Sequence, residues 1–211
     1  MKHRLAIVGA GEMFHQAKHF AEIDGRYNVV GLFVDQPNKI EECDGVPFLG
    51  KTCDIEFAYN NGLFDCLFIA IGYNHLNFKK KLHESLKSKI PFATIIANPT
   101  YIDKSASIGC DVIIYPGVII DKEVTIDDNV ILNLGATISH NSHIGNSTFI
   151  GVKTNISGFC DIGECCFLGT NSTLIDHIKI CNDVCVGASA LIIKDVELSG
   201  TYVGVPIRKV K

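Results

Sequence analysis

The 211-residue sequence contains no stretch approaching about 18 uninterrupted apolar residues, so it offers no candidate membrane-spanning helix. No signal sequence opens the chain, and the protein is expected to be cytoplasmic. It has no basic stripe, and its formal net charge is −4, so the electrostatic footprint of a nucleic-acid partner is missing. Cysteine is plentiful at nine residues, yet the total is odd and no pair has CxxC spacing. That removes the usual signatures of a disulfide framework and of a structural zinc site, and reduced, structural thiols are expected.

What the sequence has instead is a period. Every sixth residue from Ile102 to Val186 is Ile, Leu or Val, through fifteen consecutive hexapeptides over residues 102–191. Four places after each stands a small or short-branched residue, among them Ala106, Val118, Ala136, Ser142, Thr154, Cys160, Cys166 and Ala190; Ile178 is the one bulky exception. An α-helix turning every 3.6 residues would scatter a six-residue repeat around its circumference, whereas short strands with a corner every six residues point the same columns inward each time. The pattern predicts a parallel β-helix. Three faces make an eighteen-residue coil, so fifteen hexapeptides give five coils stacked about 4.8 Å apart. Cys160 and Cys166 fall in the small column, where a thiol packs as a small apolar group.

Residues 1–98 read differently. Residues 5–8 form a buried apolar run ending in Gly9-Ala-Gly11, residues 12–23 have helical spacing, and residues 28–34 form a second strand closed by Asp35. A third strand over 66–71 ends at Gly72-Tyr-Asn74, and a basic amphipathic helix follows over 76–87. A glycine turn between a strand and a helix N-terminus favours phosphate, because free backbone N–H groups and the helix dipole converge there. Phe14 occupies the place of the third glycine of GxGxxG, and no second mononucleotide half fits before the coils, which weighs against a dinucleotide site. A turn in which Gly9 and Gly11 merely punctuate the chain stays open as an alternative.

The uninterrupted coils, the segment ATISHNSHIG at 136–145 and the ending GVP at 204–206 before basic residues resemble the hexapeptide acyltransferases. Within them the chain most resembles sialic acid O-acetyltransferase and bacillosamine N-acetyltransferase-like proteins. The resemblance implies a Rossmann-like sugar-nucleotide-binding domain at 1–98 and a left-handed parallel β-helix acyltransferase domain at 99–211. It further implies acetyl-CoA as cosubstrate, no metal, a homotrimer with the coenzyme groove between adjacent solenoids, and a nucleotide-linked amino sugar as acceptor. The expected reaction is N-acetylation of the 4-amino group of a 4,6-dideoxyhexose for surface polysaccharide or glycan synthesis. Sugar O-acetylation is the alternative, a noncatalytic nucleotide-sugar scaffold a further one, and UDP, dTDP and GDP are not distinguished.

The same resemblance assigns site residues. His140 matches the general base, and its third place in the hexapeptide points it outward, where an imidazole with an ordinary pKa near 6.5 is mostly neutral and basic. Eighteen residues on lies Gly158, implied to meet the acetyl carbonyl through its amide, and Lys122 lies eighteen before. A glycine there is expected to leave open space beside the imidazole. Where related proteins carry an acid after the base, this chain has Asn141, with Glu123 one coil below as the compensating charge. Phe149 replaces a coenzyme-contacting histidine, so that contact is expected to be lost or apolar; Thr170 and Ala188 match coenzyme contacts, and the basic ending Arg208, Lys209 and Lys211 is offered as a partner for the coenzyme's phosphates, with a solvated end open as the alternative. Gly11, Glu12, Met13, Asp35, Gly72 and Asn74 match sugar-nucleotide contacts. His143 is expected to be solvated or to touch a neighbouring subunit. A rival reading, zinc held by His140, His143 and His177 as in β-helical carbonic anhydrases, lacks ligand spacing, and that family has no N-terminal nucleotide domain.

Overall fold

The computed structural model describes residues 2–36 and 42–211. It divides into two compact units, Met1–Ala97 and Asn98–Lys211. Among the described residues no helix is long and apolar enough to cross a membrane.

The first unit is built around β1 (His3–Val8), whose Leu5, Ala6, Ile7 and Val8 are buried. It is followed by α1 (Glu12–Asp24), β2 (Tyr27–Phe33), β3 (Glu42–Cys43), β4 (Val46–Gly50), α2 (Ile55–Asn60), β5 (Cys66–Ile69) and α3 (Leu76–Leu86). The sheet order is β3-β4-β2-β1-β5, with β1 parallel to β2 and β5 and β2 parallel to β4. A continuous apolar run suits a strand buried on both faces, which a parallel sheet requires. Phe14 is fully buried, so the third glycine position of a dinucleotide fingerprint is here a core anchor for α1. The sequence reading placed three strands, and the structure adds the antiparallel β3/β4 pair and α2. The signal for that pair was Asp44-Gly45, both at positive φ (54° and 74°), as a tight two-residue hairpin turn demands.

The second unit is a three-sided parallel β-helix whose short strands and registers fit a left-handed coil. Strands pair with those eighteen residues away: Ile120 lies beside Ile138, Ile138 beside Ile156, Ile156 beside Leu174. From Ile114 through Ile192 every member of the aliphatic column is at most 3 % exposed. Ile102 and Ile108, at the start of the coils, are only half-buried.

Each corner from Asp111 to Ser189 is turned by a residue at positive φ, and only Gly117 and Gly135 among them are glycine. That conformation is disfavoured for side-chain-bearing residues by roughly 1–2 kcal/mol each and least so for Asn and Asp, which supply Asp111, Asn129, Asn141, Asn171 and Asp183. The small column closes the corners from inside. Buried Ser142 donates to the Ser157 carbonyl at 2.9 Å and accepts from the Cys160 N–H at 3.1 Å; Thr148 repeats this with Gly163 and Cys166. Cys160 and Cys166 extend the pattern, their thiols donating to the carbonyls of Ile175 and Cys181 at 3.2 Å. They are therefore hydrogen-bonding groups as well as the apolar fillers expected. Burial pushes the Cys166 thiol up to about 12, so it remains protonated.

Ile144 sits mid-column with no exposure. Ile144→Ala is expected to lower unfolding free energy by about 2–5 kcal/mol, since a stacked column cannot collapse onto the void. Equilibrium denaturation checks this, and a loss below about 1 kcal/mol would mean that the coils relax around the cavity.

Candidate active site

His140 lies in the corner between strands Thr137–Ile138 and His143–Ile144. Backbone bonds stack this corner on its neighbours: Asn141 N–H to Lys122 C=O, Phe159 N–H to His140 C=O and His177 N–H to Gly158 C=O, at 3.0–3.1 Å. Two columns result, Lys122–His140–Gly158 and Glu123–Asn141–Phe159–His177.

Within them a hydrogen-bonded chain forms. His140 Nδ1 lies 3.2 Å from Asn141 Oδ1, and Asn141 Nδ2 donates to Glu123 Oε2. Glu123 as a carboxylate only accepts, so it turns the amide nitrogen of Asn141 toward itself and the amide oxygen toward the ring. That oxygen also only accepts, so the ring proton resides on Nδ1 and Nε2 keeps its lone pair. Glu123 thus sets the tautomer of His140 through a neutral relay. Asn141, at φ 59°, is also a residue type suited to its corner.

Gly158 faces the ring directly, because a Cβ there would lie 2.7 Å from His140 Cε1 and 3.0 Å from Nε2. The space above this glycine is filled by the imidazole, which corrects the expectation that it stands open. The Ser142 hydroxyl holds the Ser157 carbonyl inward. In a trans peptide the N–H of the next residue points the opposite way, so the Gly158 amide is directed outward. Among the described residues no protein acceptor takes it. A basic nitrogen and a free N–H donor side by side are the elements needed to deprotonate a nucleophile and stabilise an oxyanion.

The expected coenzyme residues lie elsewhere on the coil. Thr170 and Ala188 are exposed and share a different corner, joined by the Ser189 N–H to Thr170 C=O bond at 2.8 Å. Phe149 is on a third face, stacked on Phe167 with centroids 5.2 Å apart and planes at 16°. Arg208 and Lys209 are exposed and form a short strand antiparallel to Gly200–Val203, and the Val210 N–H and Lys211 C=O both bond to Thr201. The basic ending is thus an ordered strand. A single chain does not bring these residues to His140.

His143 is tied down rather than simply solvated. Its Nδ1 lies 2.9 Å from Asp161 and its Nε2 3.0 Å from Asp127, in the coils on either side. Two carboxylates satisfy both nitrogens only if both carry protons. Burial works to lower the imidazole pKa, but the hydrogen bonds and charges of Asp161 and Asp127 outweigh it and raise the value above 6.5. With both nitrogens occupied, His143 offers no lone pair to a zinc ion shared with His140 and His177. The ion pair borders a cleft of about 580 Å³ that also includes Glu164, Lys179, Asp195 and Glu197.

In the first unit a cleft of about 420 Å³ opens at the C-terminal ends of the parallel strands, where β1 and its two neighbours diverge and ligands of such sheets bind. Val8, Gly9, Phe33, Val34, Asp35, Gln36, Thr52, Ile71, His75 and Phe78 line it. Asp35 is the one expected contact among them. Its Oδ1 accepts from both the N–H and the hydroxyl of Thr52, at 2.9 and 2.7 Å, leaving Oδ2 for a ligand. Gly11, Glu12, Met13, Gly72 and Asn74 are not among the lining residues and flank them in sequence. Thr52, His75 and Phe78 escaped the sequence reading, because only folding brings the turn after β4 and the start of α3 to a cleft at the ends of β1 and β2. The three glycines differ. Gly9, at φ 115°, has no room for a Cβ, which would sit 2.7 Å from the Ala70 carbonyl oxygen. Gly11 and Gly72 have ordinary φ and nothing within 4 Å of a Cβ, so neither the backbone nor packing requires glycine there.

The family model of the GMPPB C-terminal domain matches residues 92–197. No curated protein matches the chain significantly. Among solved structures it is similar to the acetyltransferase domain of PglB from Neisseria gonorrhoeae, at 23% identity and a TM-score of 0.90 over 99% of this chain and 100% of that one. It is similar to PerB from Caulobacter crescentus, solved in complex with CoA and GDP-perosamine, at 25% identity and 0.90 over 99% and 97%. WeeI from Acinetobacter baumannii aligns at 18% identity and 0.82 over 98% and 99%.

The raised pKa of His143 fixes the sign of a pH effect. Its contribution to stability is complete below the ordinary value of 6.5 and is lost as pH rises through the folded value. His143→Gln is expected to lower the melting temperature more at about pH 6 than at about pH 9. A pH-independent difference between variant and parent would show that the ring does not titrate against Asp127 and Asp161.

Proposed function

The chain belongs to the GMPPB C-terminal domain family, and on that premise we propose that it is an acetyl-CoA-dependent N-acetyltransferase acting on the 4-amino group of a nucleotide-linked 4-amino-4,6-dideoxyhexose. The observation that carries the reading is the pairing of the basic Nε2 of His140 with the outward N–H of Gly158. The likeness to PerB over nearly the full length of both chains supports it, since that protein was solved with CoA and GDP-perosamine, a nucleotide-linked amino sugar.

The residues assign the steps as follows. His140 Nε2 accepts a proton from the sugar amine as its nitrogen forms a bond to the thioester carbonyl carbon of acetyl-CoA. The Gly158 N–H donates to the carbonyl oxygen as it gains charge, and the oxyanion then re-forms the carbonyl as the C–S bond breaks. Imidazolium returns its proton to the departing thiolate. Asn141 and Glu123 hold the ring proton on Nδ1 throughout, so that Nε2 enters the step with its lone pair, and they offset the transient positive charge, a role that related proteins give to an acid beside the base. Cys160 and Cys166 are buried, with thiol pKa values raised by burial, and neither is proposed as a nucleophile.

We assign the first unit as a Rossmann-like domain that binds the nucleotide in the cleft of Asp35 and Thr52, with Gly11 and Gly72 left bare for its phosphates. Thr170, Ala188, Arg208 and Lys209 are assigned to the coenzyme. Because they lie away from His140 on one coil, a homotrimer that lends one chain's coenzyme corner to the next chain's base completes the site. A cytoplasmic location suits both substrates.

Turnover is read as coenzyme A thiol released from acetyl-CoA with UDP-, dTDP- and GDP-linked 4-amino-4,6-dideoxyhexoses. His140→Ala is expected to keep fold and ligand binding but to lose about 10²–10⁴-fold in kcat, the usual worth of a positioned general base. An undiminished rate would remove His140 from the mechanism. The glycines give a second test: Gly9→Ala is expected to lower the melting temperature, whereas Gly11→Ala leaves it unchanged and weakens nucleotide-sugar binding by calorimetry. Unaltered binding in Gly11→Ala would reduce that glycine to a turn residue.

A further inference from the structure

We propose that Phe159, backed by His177, is a specificity-determining residue that recognises the C6 methyl group of a 6-deoxy sugar acceptor. This rests on the reading of the protein as a 4-amino-4,6-dideoxyhexose N-acetyltransferase and deepens it by assigning the group that tells such a sugar from one that keeps its C6 hydroxyl.

Phe159 is conspicuous for where it is. It turns a corner at φ 58°, a conformation in which a bulky side chain is strained, and it is the sole phenylalanine among the corner residues with positive φ. Burial does not compensate, because the residue is 48 % exposed. Its ring is nevertheless held from two sides. It meets the His140 ring nearly perpendicularly, with centroids 5.2 Å apart and planes at 84°, and it lies parallel to the His177 ring at 4.8 Å and 3°. Both are favourable aromatic geometries, together worth more than the area they cover. The result is an apolar platform beside the candidate base, open on its outer side. The neighbours of His140 are thereby split: Asn141 and Glu123 are polar and engaged with each other, and Phe159 is apolar and offers no hydrogen bond.

The covalent structure of the acceptor says what meets that platform. The reacting nitrogen is on C4, and C6 hangs from the adjacent C5, three bonds away. For proton transfer the nitrogen must come within about 3 Å of His140 Nε2. C6 then lies within a few ångströms of the imidazole, at the range where the Phe159 ring stands. A methyl group placed against the ring loses contact with water and gains dispersion contact. A hydroxymethyl group in the same place surrenders hydrogen bonds to water, and the ring returns none.

The test compares matched acceptors on one nucleotide, a 4-amino-4,6-dideoxyhexose and the corresponding 4-amino-4-deoxyhexose, by kcat/KM of thiol release. The parent protein is expected to prefer the 6-deoxy sugar by about tenfold or more, the discrimination available from one apolar group. Phe159→Ala and Phe159→Asn, the second chosen because Asn accepts the corner conformation, are expected to bring the ratio close to unity, chiefly through KM for the sugar nucleotide. KM for acetyl-CoA should hold, Phe159→Tyr should keep the preference, and His177→Ala should erode it in part. Retention of the preference in the Ala and Asn variants, or an equal loss on both acceptors, overturns the proposal. A parent protein active on both amines without preference overturns it too and leaves the N-acetyltransferase reading standing. Inactivity on every amine with turnover on a sugar hydroxyl overturns that reading and the proposal with it.

Discussion

The second unit depends on one repeated interaction, the backbone hydrogen bond between consecutive coils that holds residues eighteen apart at contact distance. It sets Ile120, Ile138, Ile156 and Leu174 in one buried row. It also sets Glu123 beneath Asn141, Gly158 against His140, Asp161 beside His143 and His177 on Phe159. Core and candidate site are thus two readings of the same register, one taken from the inward columns and one from the corners. The aliphatic rows supply the apolar burial that makes the register stable, and the register supplies the precision that the chemistry requires.

Corners are where the two demands meet. Each needs a left-handed residue, which most side chains resist, and those backed by Ser142, Thr148, Thr154, Cys160 and Cys166 are closed from within by a short hydroxyl or thiol reaching the backbone. At the His140 corner the same device has a second effect. Ser142, by securing the Ser157 carbonyl, settles which way the next amide points, and so a residue of the interior decides whether Gly158 can serve as a donor. Asn141 likewise meets both demands, as a comfortable corner residue and as the relay between a carboxylate and an imidazole.

The coils were legible in the sequence because a strict period with two inward columns has no helical interpretation. The relations of His140 to Gly158 and of Asn141 to Glu123 followed from counting eighteen, and the same count carried upward from Asn141 reaches Phe159 and His177. What counting does not convey is direction. That the imidazole covers Gly158, and that His143 spans two acids instead of standing in solvent, depends on side-chain rotamers, which a linear period leaves undefined. The first unit was less legible still. Its strands β1, β2 and β5 and helices α1 and α3 show in the apolar runs, the glycine turn and the amphipathic spacing, but that Thr52, His75 and Phe78 meet at the Asp35 cleft depends on tertiary placement, which local spacing does not convey. The antiparallel ending at Arg208–Lys209 is only two residues long, too short for a pattern to betray it.

The separation of inward from outward columns bears on how such a protein changes over generations. A substitution in the aliphatic rows is felt along the whole stack, so these positions are closed to experiment. The corner columns are addresses on a lattice: each outward residue has a known neighbour one coil up and one coil down, and replacing it disturbs little else. An acid can become an amide at 141 while the charge is kept at 123, because the scaffold already brings those two addresses together. Chemistry on this frame can drift one address at a time without passing through an unfolded ancestor.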